Sequence, residues 1–171
     1  MPILSGAPGT VALGEADRAA SLAALRAELR AAATDDDALA LALVETALGA
    51  AELFLGQVLI ARALVAALPA RAAWQPLPAR PVRHVEAPAA AMVDIDEQGT
   101  GWVRTAAPVE ITFTAGLAGD WAGLPPALRH GAVLLAAYLF ADRGGATPLP
   151  AAVTALWRPH RTLRLAAEAR A

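Results

Sequence analysis

Val109-Glu110-Ile111-Thr112-Phe113-Thr114-Ala115-Gly116 alternates apolar and polar side chains, which puts Val109, Ile111 and Phe113 on one face of an extended chain. A period of two marks a half-buried strand, and 109–114 is the clearest strand in the sequence. Just beyond it, Asp120-Trp121 and Leu124-Pro125-Pro126-Ala127-Leu128-Arg129-His130 lead into a helix, because proline is tolerated in a first turn. That helix is expected to run to about Ala141, apolar on every side from Ala132, and to stop at Gly144-Gly145. Trp121, just before it, is expected to pack against it as a hydrophobic staple.

Upstream, Met92–Asp96 and Trp102–Thr105 flank Glu97-Gln98-Gly99-Thr100-Gly101, a hairpin pattern. The proline-rich stretch from Arg71 to Ala90 leaves room for a short strand at Val82–Val85. Val58–Leu68 fits either a helical extension or a strand, since a short apolar run does not settle the period. Before it lies a strong helix signal. Thr34 is a candidate N-cap, and Asp35, Asp36 and Asp37 place negative charge on the first turn, where the helix dipole favours it. Leu41, Val44, Leu48, Ala51 and Leu55 form one stripe and Leu39, Leu43, Ala47 and Phe54 a second. Only Glu45, Gly49, Glu52 and Gly56 remain for a narrow polar or small-residue edge. A helix this apolar must be covered nearly all round. Ser21–Ala33 suggests a shorter helix, and a last one is expected from Pro150 through Val153, Leu156 and Trp157.

The expected fold is therefore mainly α (α+β): a helical bundle with a small β-hairpin and strand insertion. Residues 1–20 are read as a flexible N-terminal arm and 21–157 as the main domain. Its helices lie near 35–56 and 126–142, and its β insertion near 80–115. Residues 158–171 form a basic C-terminal segment.

Composition excludes much chemistry. The 171 residues contain no cysteine, so no disulfide, thiol nucleophile or cysteine-ligated metal is available. All 14 basic residues are arginine, which removes P-loop and Schiff-base lysines. The net charge of −2 argues against broad binding to nucleic-acid phosphates. The hydrophobic share is 57%, swollen by alanine, and charge interrupts the apolar runs before they reach the ~18 residues of a membrane span, so no membrane contact is expected. His84, His130 and His160 lack metal-type spacing, and Asp94, Asp96 and Gly99 begin a calcium-like loop that ends on Thr105 where an acid is required. Ser5 and Ser21 have no nucleophile context, and Gly99-Thr100-Gly101 fails the dinucleotide fingerprint. No catalytic residue, metal or cofactor is expected.

The order Val109–Gly116, Asp120-Trp121, Leu124–His130, then Ala155-Leu156-Trp157-Arg158-Pro159, with the acidic Thr34–Asp37 helix entry, resembles the head–tail connector (adaptor) proteins of long-tailed phages and gene transfer agents. The similarity spans roughly Leu25 to Leu165. The Gly/Ala/Pro-rich start and the alanine-softened Val58–Leu68 depart from the family's pattern. The resemblance implies a structural, non-enzymatic virion protein at the head–tail junction, made in a bacterial cytoplasm. It implies a homo-oligomeric ring of about 12 copies, closed by heterologous contacts. Its partners would be the portal protein and the tail-side stopper or terminator ring, with DNA only passing through the channel.

On this resemblance Trp157, Arg158, Arg161, Arg164 and Leu165 are candidate portal contacts, since tryptophan and arginine anchor interfaces. Trp157 fits the subunit's own core equally well. Trp102 either touches a neighbour or covers its own sheet, and Arg129 is a candidate for a subunit interface or the channel. A tail-completion or stopper protein is the nearest alternative, and a small helical DNA-binding regulator a more distant one.

Overall fold

The alternating stretch is a strand in the middle of a sheet, and that decides the architecture. The computed structural model describes residues 2–30, 36–86, 88–142 and 150–161. Along the chain come β1 (Ile3–Ser5), α1 (Glu15–Leu29), α2 (Asp37–Leu55), β2 (Arg62–Leu68), β3 (Arg71–Pro76) and β4 (Val82–Glu86). Then follow β5 (Ala91–Ile95), β6 (Gly101–Thr105), β7 (Val109–Ala115), α3 (Pro126–Ala141) and α4 (Ala151–Trp157), with a 3-10 turn at Arg158–His160. The strands form two antiparallel sheets, ordered β1-β2-β7-β4 and β3-β6-β5.

This corrects the expectation of a mainly helical bundle with a small β insertion: the fold is α+β. The physical reason lies in the alanines. Arg62–Leu68 and Arg71–Pro76 carry a strong helix former where a strand would show a branched residue, so their period is muted. Tertiary pairing overrides that local preference. Val58–Leu68 resolves into a loop followed by β2, whose burial alternates along its length. The supposed arm contributes β1 and the first residues of α1.

The chain divides into two compact units. Residues 2–8 and 56–119 hold the strands. There β2 and β7 register Leu64 with Phe113, Ala66 with Ile111 and Leu68 with Val109. Leu64, Phe113 and Ile111 are fully buried, with Leu77, Val82 and Val103 joining the same core. Each such large side chain contributes about 1.5–3 kcal/mol by leaving water. Gly116, which closes the alternating stretch, lies so close to the Ala61 backbone that a β-carbon would collide with it. Arg83 donates to the carbonyls of Gly116 (2.6 Å) and Leu117 (2.7 Å), fixing the exit of β7.

Residues 9–55 and 120–161 hold the helices. Helix α2 packs on α1 and α3, and α3 also packs on α4. Val44, Leu48, Ala51 and Leu55 of α2 are buried, as are Leu128, Ala132, Leu135 and Ala136 of α3, Leu25 of α1 and Val153 of α4. Helix α2 is long and apolar enough to cross a membrane by length and composition. Its inner side nevertheless carries Glu52, fully buried, and Glu45. Thr34 and Asp35, expected at its start, lie outside the described residues. Asp37 is its first residue and takes an ion pair from Arg26, whose Nε donates to Oδ1 at 3.2 Å.

Candidate interaction surfaces

In the helix unit, the edge of α2 that looked polar in the sequence faces inward. The chain at residues 9–13 runs along it as a strap. Gly9 N–H donates to Glu52 Oε2 and Leu13 N–H to Glu45 Oε1, each at 2.9 Å. Arg18 adds an ion pair to Glu45 at 3.6 Å. Gly49 makes the approach feasible, because a β-carbon there would sit 2.5 Å from the Gly9 carbonyl oxygen. The outward side of α2 is what remains: Leu39, Ala42, Thr46, Ala50 and Leu53, all exposed.

The candidate C-terminal contacts separate by burial. Trp157 is 3% exposed, seated over Gly131 and stacked at a tilt on Phe54 with 5.9 Å between ring centroids. It is a core residue of the helix unit and is not a surface anchor in this chain. Arg158 and Arg161 are exposed, and Arg161 lies over the Phe54 ring at 5.4 Å. Phe54 is thus shared between the buried Trp157 and the exposed Arg161. Arg164 and Leu165 lie outside the described residues.

Arg129 lines a groove of about 390 Å³ with Ala24, Glu28, Trp121, His130 and Val133. Trp121 is buried, and its backbone N–H donates to Asp17 Oδ1 at 2.9 Å.

In the strand unit, Trp102 is half-buried on β6, and its indole Nε1 donates to Asp96 Oδ2 at 2.9 Å. Asp96 Oδ1 also accepts the N–H groups of Thr100 (2.8 Å) and Gln98 (3.0 Å), so one carboxylate closes the β5–β6 turn. Partial burial pushes the Asp96 carboxyl up. The hydrogen bonds from Trp102, Thr100 and Gln98 outweigh it and hold its pKa below the usual 3.8. The calcium-like spacing is therefore a turn cap. Among the described residues no three His, Asp or Glu side chains gather as a metal set.

No family model matches the chain, and no curated protein does. Solved structures do. A chain in the neck of the native gene transfer agent particle, computed with C12 symmetry, is 28% identical with a TM-score of 0.71, covering 99% of this chain and 100% of its own. The fold is that of a gene transfer agent neck protein. A chain of the native gene transfer agent virion is 26% identical with a TM-score of 0.71, covering 98% of this chain and 97% of its own. A chain in the neck of the empty particle, computed with C6 symmetry, is 26% identical with a TM-score of 0.69, covering 98% of each. The similarity to neck proteins runs through both units and agrees with the connector resemblance of the sequence.

Two surfaces of this neck-protein fold escaped the sequence reading. One is the outer side of α2. The other is β5, where Met92, Val93 and Ile95 are all exposed. On the outer side of that sheet Arg104 lies over the Trp74 ring at 5.2 Å, and its Nε sits 3.0 Å from Met92 Sδ. The available signal was the absence of polar partners at 92, 93 and 95, which a hairpin on a solvated surface would carry.

Proposed function

We propose that this chain is a head–tail connector subunit. It forms a ring under the portal protein, continues the DNA channel and joins the capsid to the tail-side ring. One observation carries the reading: the end-to-end match to a neck chain determined with C12 symmetry. The role is structural and needs no turnover, in keeping with neighbours that are particle components. The exposed Arg158 and Arg161, the latter over the Phe54 ring, are the proposed portal-facing contacts, with Arg164 and Leu165 following in sequence.

A tail-completion or stopper protein is the second reading. A matching chain also comes from a neck computed with C6 symmetry, which a six-fold ring and a ring of twelve both satisfy. Copy number separates the two. Native mass spectrometry and negative-stain imaging of the purified chain, with and without its particle's portal, are the test. Rings of twelve on the portal support the connector. Rings of six that bind only a connector ring support the stopper, and a monomer that ignores the portal overturns both.

A further inference from the structure

Six large apolar side chains are exposed among the described residues: Leu4, Leu39, Leu53, Met92, Val93 and Ile95. Five of the six fall on two elements. On α2, Leu39 and Leu53 bracket Ala42, Thr46 and Ala50, positions three or four apart that lie along one side of a helix. That side carries no charge at all. Asp37 is spent on Arg26, Glu45 and Glu52 are spent on the strap at residues 9–13, and the Thr46 hydroxyl donates to its own helix at Ala42 (2.8 Å). A solvated helix face is normally charged, so an uncharged one with exposed leucines at both ends is a surface awaiting cover. On β5, the outer strand of its sheet, which pairs with β6 alone among the described strands, Val93 and Ile95 are exposed on one face, while Met92 faces the other way beside Arg104. Exposed apolar edge strands associate unless something blunts them.

We propose that the uncharged side of α2 in one copy is covered by the β5 side chains of the next copy. The inference rests on the ring reading above. A closed ring built from one kind of chain uses heterologous contacts, in which a patch meets a different patch on its neighbour. This chain presents two such apolar patches, one in each compact unit. Leu39 to Leu53 spans about 21 Å of helix at ~1.5 Å per residue, long enough to receive Val93 and Ile95, which lie about 7 Å apart along β5 at ~3.4 Å per residue. The small side chains of Ala42, Thr46 and Ala50 leave a shallow trough between the two leucines for the β5 side chains. The contact is made through side chains. A self-contact of α2 would give a two-fold pair and no ring.

The chain has no cysteine, which makes the test clean. Leu53→Cys and Val93→Cys are made as separate variants and treated with a short bismaleimide, alone and mixed, at a concentration where native mass spectrometry counts rings. The mixture should give a covalent dimer that neither variant gives alone. A dimer from Leu53→Cys alone would mean that α2 meets α2 and would overturn the proposal. Rings without any cross-link in the mixture would overturn it too, while leaving the connector reading intact. Absence of rings both alone and on the portal would remove the ring reading and this inference with it. As a second measurement, Leu53→Glu and Val93→Glu should each cut the ring fraction more than tenfold with unchanged near-UV circular dichroism. Mixed one to one, they should form a dimer and nothing larger, because one intact contact remains per pair. A mixture that stays monomeric, or rings that survive both substitutions, would count against the pairing.

Discussion

Trp157 of α4 packs its indole against Gly131 on α3, so close that a β-carbon at 131 would fall 2.8 Å from Cδ1 and nearer still to Nε1. The indole N–H has no hydrogen-bond partner among the described residues. The ring is held there by packing alone. Gly131→Ala sets two effects against each other. Alanine favours a helix by about 1 kcal/mol over glycine, and overpacking a filled site costs about 1–3 kcal/mol. We expect a net loss, read as a lower denaturation midpoint. In a Trp157→Leu background the collision disappears and the same substitution should become neutral or stabilising. That reversal of sign is the decisive readout.

Removing Glu52 leaves the Gly9 amide facing a buried helix side. Glu52→Ala should cost about 1–3 kcal/mol, the range for an unsatisfied buried donor. Hydrogen exchange is the specific check: the Gly9 and Leu13 amides should lose protection together in Glu52→Ala. Glu45→Ala, at a less buried place, should expose chiefly Leu13.

Acid should act on the hairpin through Asp96. Its carboxyl is held below the ordinary 3.8, so the bonds it accepts contribute stability above that pH. They are lost only as the pH falls through the depressed folded value. The Trp102 indole N–H resonance should therefore stay constant from neutral pH down to about 4 and shift below it. Asp96→Asn keeps an acceptor for Gln98 and Thr100 but loses the acid transition. Asp96→Ala should cost about 1–2 kcal/mol, for several modest hydrogen bonds lost together.

Arg158→Glu with Arg161→Glu tests the portal contact without touching the core beneath it. Both arginines are exposed, so the melting temperature should change by little. Portal affinity should fall at least tenfold, as charge reversal at a contact does. Truncation after Pro150 is a poorer test, because it removes Val153 and Trp157, which are 2% and 3% exposed. Unchanged portal binding in the double reversal would move the contact elsewhere.

What the sequence disclosed depended on how far period and composition spoke for themselves. The strand at 109–115, the hairpin at 91–105 and the helices beginning at Asp37, Pro126 and Ala151 were legible, because proline, glycine and alternation mark their bounds. Strands β2 and β3 were muted, and with them the balance of the fold, because alanine at 63, 66, 67, 72 and 73 carries neither period nor strand preference, and β1, Ile3–Ser5, is too short to show a period. The α2 stripes and the polar edge beside them were found, but not what that edge holds. Projection onto a wheel shows which residues share a side but not that Gly9 and Leu13 would come to claim the two glutamates. Trp157 was an even choice between core and contact until Gly131, 26 residues upstream, supplied the space beneath it.

The strap at residues 9–13 sets an order in time. Gly9 and Leu13 are made early, yet their partners Glu52 and Glu45 follow 43 and 32 residues later. Strand β1 waits longer still, for β2 at Arg62–Leu68. Synthesis thus delivers Gly9 and Leu13 before the side chains that hold them, and a change that hinders their return to α2 would spoil a subunit whose helices had otherwise formed.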